Sequence, residues 1–282
     1  MRNFFRYLGR NGQLTAGLIV IGLMALLWVI GYFMVDLSHA SPLSASPDQP
    51  PSRQYLLGTD SAGREILPVM IKGSPMTLEI GLIAGAVGLL VGTILGFSAG
   101  YFGGLVDSVI RTMADVALTV PALAVLVVIA SVITQLLSPT IMAFIIASLA
   151  WMWPTRTIRS QVLTMRERAY VEVARLSGLN DFEIIFKELV PNLLPYLAAS
   201  FVGAVAAAVL AAIGLEALGL GPQSEPTLGM TIYWARYYAA LPRGMWWWWA
   251  PPVVIIILMF IALFMVAAGL DEIANPRSRR TA

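Results

Sequence analysis

The sequence predicts an all-α, polytopic membrane protein with six transmembrane helices, and three observations carry that prediction. Of the 282 residues, 58% are hydrophobic and only 12% charged, with a mean hydropathy of +0.78. An ordinary soluble domain is about 45–50% apolar and about 25% charged. The apolar residues gather into runs near the roughly 20 residues a helix needs to cross the hydrocarbon core. Those runs are continuous and do not alternate, which argues against transmembrane strands.

The first run, residues 14–35, is uncharged. It exceeds the roughly 7–15 apolar residues of a secretory signal, so it is expected to remain as an anchor. This holds although Ser38-His39-Ala40 loosely resembles a cleavage site. Residues 1–13 precede it and residues 36–77 form an outer loop. The second run, 78–100, carries only Glu79 at its edge and repeats Gly81, Gly85, Gly88, Gly92, Gly96 and Gly100. Small residues at this spacing let helix backbones approach closely. They suit a helix at the heart of a bundle, a dimer interface, or ordinary packing. The third run, 116–137, is uncharged. The fourth, 140–153, is short and is expected to continue through Pro154 as a kinked helix, since neighbours can satisfy the carbonyl a membrane proline frees. The fifth, 193–215, is rich in alanine, which suits tight packing or the wall of a wide pathway. The sixth, 250–270, completes a five-helix region over 78–270, and 271–282 form a tail.

Charge orients the chain. Of eighteen Lys and Arg, thirteen fall on one side: three in the N-terminal segment (Arg2, Arg6, Arg10), Arg111, six from Arg156 to Lys187, and three in the tail. Only Arg53, Arg64, Lys72, Arg236 and Arg243 fall on the other. The excess marks the cytoplasmic side, with both termini inside. A net charge of +2 gives no reason to expect nucleic acid as a partner. There is no cysteine and a single histidine, His39, so no thiolate or His-cluster metal site is expected. No Gly-x-x-x-x-Gly-Lys-Ser/Thr loop is present, so the chain does not hydrolyse ATP by that route. Ionisable residues are nearly absent from the runs, with Glu79 and Asp115 at edges. A carrier driven by an ion gradient keeps such groups at membrane depth. Trp246, Trp247, Trp248 and Trp249 precede Pro251 and Pro252. They read as an interfacial aromatic belt or as a stacking surface at the outer mouth.

The longest inner loop, about 155–191, reads as a short helix-turn-helix. Gly178 supplies a stop for the first helix, and Asn180 or Asp181 caps a second over 182–190, before Pro191. Ala169, Val173 and Leu176 give an apolar face suited to a partner's groove. Here Glu172, Ala174, Gly178 and Pro191, followed by Asn192, stand at the spacing of the EAA motif of ABC importer permeases, with Val173 and Val190 as mild departures. The segment Leu57-Gly58-Thr59-Asp60-Ser61-Ala62-Gly63-Arg64-Glu65 resembles the Leu-Gly-Thr-Asp-x-x-Gly-Arg-Asp signature of the dipeptide/oligopeptide/nickel permeases, C-type subunit. Gly219-Leu220-Gly221 with Pro226 and Gly229 is similar to that group's loop after the fifth span.

The resemblance implies a type I ABC importer permease fold whose 166–192 loop is the coupling helix seated in an ATPase subunit. It implies as partners a homologous second permease, two ATPase subunits and an extracytoplasmic substrate-binding protein. No cofactor is implied on this chain; ATP and Mg would sit on the ATPase subunits. It marks Glu172, Ala174, Gly178, Pro191 and Asn192 as coupling residues, Gly58, Thr59, Asp60, Gly63 and Arg64 as the outer signature, and the four tryptophans as a candidate mouth. On the residues alone, Gly58 and Gly63 read equally as turn formers, and Asp60 with Arg64 as a local ion pair of little weight if exposed. Pro75 departs from the peptide-transporting pattern, as does the ending from Gly269 to Arg277. Together with the tryptophans these resemble relatives that import oligosaccharides, so the cargo is read as oligopeptide or oligosaccharide. A self-contained secondary transporter or channel is the alternative. It calls for ionisable groups at depth or broken-helix repeats. An intramembrane enzyme would need paired polar residues at depth, and the Ser and Thr of the runs have no matching base.

Overall fold

The computed structural model describes residues 11–133 and 137–274. The N-terminal segment up to Arg10, residues 134–136 of the expected third span, and the tail from Asn275 through Pro276 and Arg277 lie outside the described residues. Among the described residues there is no strand, only one isolated bridge between Thr59 and Glu65.

Helix α1 (Gly12–Met34) starts at Asn11, whose side chain accepts from Leu14 N. The same side chain donates to the carbonyl of Gly269 at 3.0 Å and to Glu272 at 2.7 Å. This ties α1 to the last helix, and Gly17 and Gly269 let the two backbones meet. Helix α2 (Ile66–Phe102) begins about three turns before the expected boundary at residue 78. At 1.5 Å per residue it is about 55 Å long, so several turns stand beyond the hydrocarbon core.

Gly103 and Gly104, both at positive φ, reverse the chain into α3 (Gly104–Thr119). An 83° bend separates α3 from α4 (Ala122–Val132). The expected third span is therefore broken. Pro121 has no N–H to donate and drives Val120 to extended backbone (φ −88°, ψ 132°). The expected kink in the fourth span is present: α5 (Pro139–Ala150) and α6 (Met152–Met165) meet at 44°. It lies at Trp151 because the Pro154 ring conflicts with the carbonyl four residues earlier, that of Ala150.

Helix α7 (Ala169–Leu176) leads to α8 (Asp181–Ala217), which contains a π-helical stretch over Ile184–Leu189. The helix expected to end before Pro191 does not end there. In the π stretch Val190 N donates to Ile185 O, so the ladder is already displaced where Pro191 lacks its donor. The second half of the inner loop and the fifth span are thus one continuous rod. Helices α9 (Leu228–Tyr237) and α10 (Trp246–Ala274) complete the fold. Among the described residues four helices, α1, α2, α8 and α10, are long and apolar enough to span alone, and the count reaches six where each bent pair, α3 with α4 and α5 with α6, is one span.

Helix α2 is the hub, packing on α5, α6 and α8, while α1 lies against α10. Gly81 and Gly85 face Val205 and Val209 of α8. Gly88, Gly92, Gly96 and Gly100 face α5 and α6 from Ala150 to Val162. The glycine repeat is therefore an internal seam of this chain. In α8, Ala199, Ala206, Ala208 and Ala212 are buried in packing, whereas Ala198, Gly203 and Ala207 are exposed.

Candidate functional site

At the 166–192 end, the sequence folds α7 onto the bundle through Val171 and Ala174. These join a core with Phe97, Tyr101, Ile158, Val162, Ile184 and Leu189. The Tyr101 hydroxyl donates to Asp181 Oδ1 at 2.7 Å, and Arg166 donates to the Gly100 carbonyl at 2.9 Å, so the end of α2 holds both sides of the loop. Arg159 of α6 grips Asp107 of α3 with two bonds. Helix α7 stops at Gly178 (φ +86°), with Leu179 N donating to Ala174 O and Gly178 N to Arg175 O. This is the paired bond pattern that needs a left-handed residue. Asn180 caps α8 reciprocally with Glu183.

The surface left by this packing carries large apolar side chains among the exposed charges of Glu172, Arg175, Asp181 and Lys187. Val173 is 61% exposed and Leu176 83%, and Phe182 and Phe186 are exposed beside them. Glu172 in α7, Gly178 in the turn, and Pro191 and Asn192 within α8 are exposed, while Ala174 is buried. The sequence pointed to Val173 and Leu176 but not to the two phenylalanines, which the continuity of α8 carries onto this surface.

At the opposite end, residues 36–65 form a compact knot. Asp60 Oδ1 accepts from Ala62 N and Arg64 N, and Arg64 Nε donates to Asp60 Oδ2 at 2.6 Å. The expected ion pair exists but is buried, with side-chain exposures of 1% and 8%. Thr59, fully buried, donates to Ser46 O and accepts from Gln49 N. Gly58 and Gly63 both sit at φ +72°; a Cβ would stand 2.6 Å from Gln49 O at Gly58 and 2.5 Å from Ala45 O at Gly63. The signature residues thus hold one another. Asp60→Ala leaves Arg64 as an uncompensated buried charge, and loss of such a partner costs about 3–5 kcal/mol. We expect early loss of the cooperative thermal transition in detergent, with the double change to Ala at Asp60 and Arg64 milder than the single one.

The knot is fastened to the start of α10. Trp247 donates from its indole to Thr59 O at 3.2 Å and packs on Gly58. Arg243 donates to Asp48 Oδ2 at 2.6 Å and to Ser61. Partial burial pushes the Asp48 carboxyl up, but the Ser61 hydroxyl and the Arg243 guanidinium outweigh it and hold the group below the usual carboxylate range. Trp248 is fully buried and stacks on Tyr238. Only Trp246 of the four tryptophans is more than half exposed, at 55%. Within this chain the run opens α10 and clamps the knot, with Trp246 left exposed.

One residue escaped the sequence reading. Glu216 ends the fifth span and is fully buried. Its carboxylate lies against the Thr227 hydroxyl and the N–H groups of Gly229 and Met230 at the start of α9, without a well-aligned hydrogen bond. The glycines of the 219–229 loop pack around it. A Cβ on Gly229 would stand 2.2 Å from Glu216 Oε2, one on Gly221 2.6 Å from Glu216 Cγ, and Gly219 abuts the Tyr233 ring. The available signal was a carboxylate one residue past an uncharged run and followed by that glycine cluster.

The family model of the binding-protein-dependent transport system inner membrane component matches residues 64–280. The chain belongs to that family. It is accordingly a multi-pass membrane protein, the permease component of an importer and not its ATPase. It is 29% identical to the dipeptide transport system permease protein DppC of Bacillus subtilis (strain 168), over 98% of this chain and 85% of that protein. It is 28% identical to the oligopeptide transport system permease protein OppC of the same organism, over 75% of this chain and 68% of that one. A permease chain from the inward-facing MetNI methionine ABC transporter shares the fold, with a TM-score of 0.56 at 18% identity, covering 75% of this chain and 97% of that chain.

Proposed function

We propose that this chain is one of two permease subunits forming the pathway of an ATP-driven importer of oligopeptides. The 166–192 loop seats in an ATPase subunit, and both termini are cytoplasmic. ATP and Mg are held by the two ATPase subunits, and a substrate-binding protein delivers the cargo to the opposite face. The observation that carries this reading is the exposure of four large apolar side chains, Val173, Leu176, Phe182 and Phe186, on the 166–192 segment. They stand at the end of a rod that runs without interruption into the fifth span. An exposed patch of this kind marks a docking site, and helix-in-groove seating uses such anchors. Glu172, Gly178, Pro191 and Asn192 border the docked surface, and Ala174 shapes it from below. Alternating access then requires that the ATPase partner contact the two states of the permease differently. The relatives named for dipeptides and oligopeptides favour a peptide cargo, whereas the tryptophans that suggested saccharides are largely packed away.

The test is purification of the tagged chain in mild detergent from its native host, followed by reconstitution of the recovered complex into vesicles. We expect a second permease and ATPase subunits by mass spectrometry, and ATP-dependent accumulation of oligopeptide in the presence of the binding protein. A stable lone chain without ATPase would overturn the importer reading. Uptake of β-linked oligosaccharide but not peptide would overturn the cargo.

A further inference from the structure

We propose that Glu216 is a latch that makes α8 and α9 move as one body, so that a displacement of α8 at its docked end reaches the aromatic face of α9 at the outer end. This rests on the importer reading and deepens it by naming a residue that links the ATPase side to the outer mouth. Helix α8 runs 37 residues from Asp181, beside the docking surface, to Ala217, about 55 Å at 1.5 Å per residue. Glu216 is in its last turn and is fully buried. A carboxylate withdrawn from water needs a compensating charge or donors. Here it lies against the first turn of α9, the positive end of that helix, where Leu228 N is taken by Thr77 and Met230 N by Thr227 and the N–H of Gly229 is the donor left beside it.

The joint has no slack. Gly229 passes so close that a Cβ would stand 2.2 Å from Glu216 Oε2 and 2.7 Å from Glu216 Cβ. What α9 would carry is a chain of rings: Tyr233 stacks on Tyr237, Trp234 meets Tyr237 and Tyr238, and Tyr237 is 65% exposed. A competing tie exists, since Leu228 N donates to Thr77 Oγ of α2 at 3.0 Å, and Gly73 of α2 packs on the Pro226 carbonyl. The structure thus poses a definite question: whether α9 follows α8 or stays with α2.

The experiment uses the reconstituted complex. The chain contains no cysteine, so spin labels placed through Leu210→Cys on α8 and Tyr237→Cys on α9 report one distance, read with and without trapped nucleotide. The latch requires that distance to be the same in both states in the otherwise wild-type chain, and to shift or broaden in E216A. Cargo moved per ATP is expected to fall about tenfold in E216A and in G229A, within the usual range of coupling energies. E216Q, with the same shape and one acceptor oxygen, is expected to stay near wild type. A Leu210–Tyr237 distance that changes through the cycle, or an E216A complex with wild-type cargo per ATP, overturns the latch. If E216A does not assemble, the distance in the otherwise wild-type chain decides alone. Absence of ATP-driven uptake in the wild-type complex instead overturns the importer reading itself.

Discussion

Gly178→Asp is expected to reduce ATP-driven uptake by about 100-fold or more, toward the upper end of coupling energies seen between linked sites, while the chain still folds. The two halves of this expectation have separate physical grounds. Within the chain, Gly178 occupies φ +86° and no atom lies within 4 Å of where a Cβ would stand. The left-handed conformation costs a non-glycine residue roughly 1–2 kcal/mol, and Asp is among the residues that visit it. An Asp side chain would therefore point into open space at a modest cost. On the proposed docking of the 166–192 loop, this position is part of the segment that meets the ATPase subunit. A carboxylate there would have to be desolvated on docking, which is costly without a partner charge or donor. Gly178→Ala separates the two effects, because it carries the backbone cost but no charge, and it is expected to retain substantial uptake. The measurement is cargo uptake and ATP hydrolysis in vesicles, beside thermal unfolding of the same preparations. Unaltered uptake in Gly178→Asp would sink the docking role, and a collapse of both variants would reduce Gly178 to a helix stop.

Most of the fold was legible because the bilayer imposes a simple rule. Backbone groups in hydrocarbon must be satisfied within a helix, so a long uncharged run has one solution. That rule placed α1, α2, α8 and α10, and the kink near Pro154. It could not place the break at Pro121, where hydropathy stays high through Val120 and Ala122. Proline in a membrane helix is compatible with a kink or a full bend, and only the packing of α3 against α6 through Asp107 and Arg159 distinguishes them. It also missed the first turns of α2. Residues 66–77 contain Lys72, Ser74 and Pro75 and read as loop, yet they are helical, with Ile66, Val69 and Met70 buried in the core that also holds Trp248 and Leu228.

The loops were legible in kind but not in consequence. Gly178 as a stop, Asn180 as a cap and the Asp60–Arg64 pair follow from local chemistry, and the structure contains each of them. Burial of that pair does not follow from local chemistry, since it depends on the knot closing over residues 42–49. The packing of the tryptophan run does not follow from local chemistry either. Four indoles at a span end satisfy the rule for an interfacial belt, whereas Trp247 and Trp248 are in fact consumed by tertiary contacts with Thr59 and Tyr238. Glu216 was missed because a span boundary drawn at 215 discards the charge that follows it, and its meaning depends on α9 folding back.

The glycine seam of α2 is where a larger side chain has nowhere to go. At Gly92 a Cβ would stand 2.6 Å from Pro154 Cβ, 2.9 Å from Trp151 O and 3.0 Å from Thr155 N. Two of these are backbone atoms and the third belongs to a rigid ring, so no side chain can rotate away. Trp151 O is also the acceptor for Thr155 N and Thr155 Oγ. The intruding atom therefore presses on the bonds that stabilise the kink. Overpacking costs about 1–3 kcal/mol where neighbours can adjust; here Gly92→Ala is expected at the top of that range, and Gly92→Leu is expected to prevent accumulation of folded chain. Gly22 of α1 is the matched control. It is exposed, with nothing within 4 Å of its Cβ position. Gly22→Ala should be neutral or stabilising, since alanine gains about 0.8–1 kcal/mol over glycine in a helix interior. The comparison is made by the yield of monodisperse protein and the midpoint of thermal unfolding in one detergent. Equal behaviour of Gly92→Ala and Gly22→Ala would mean that α2 and α6 do not meet across this seam, and the hub assigned to α2 would then have to be abandoned.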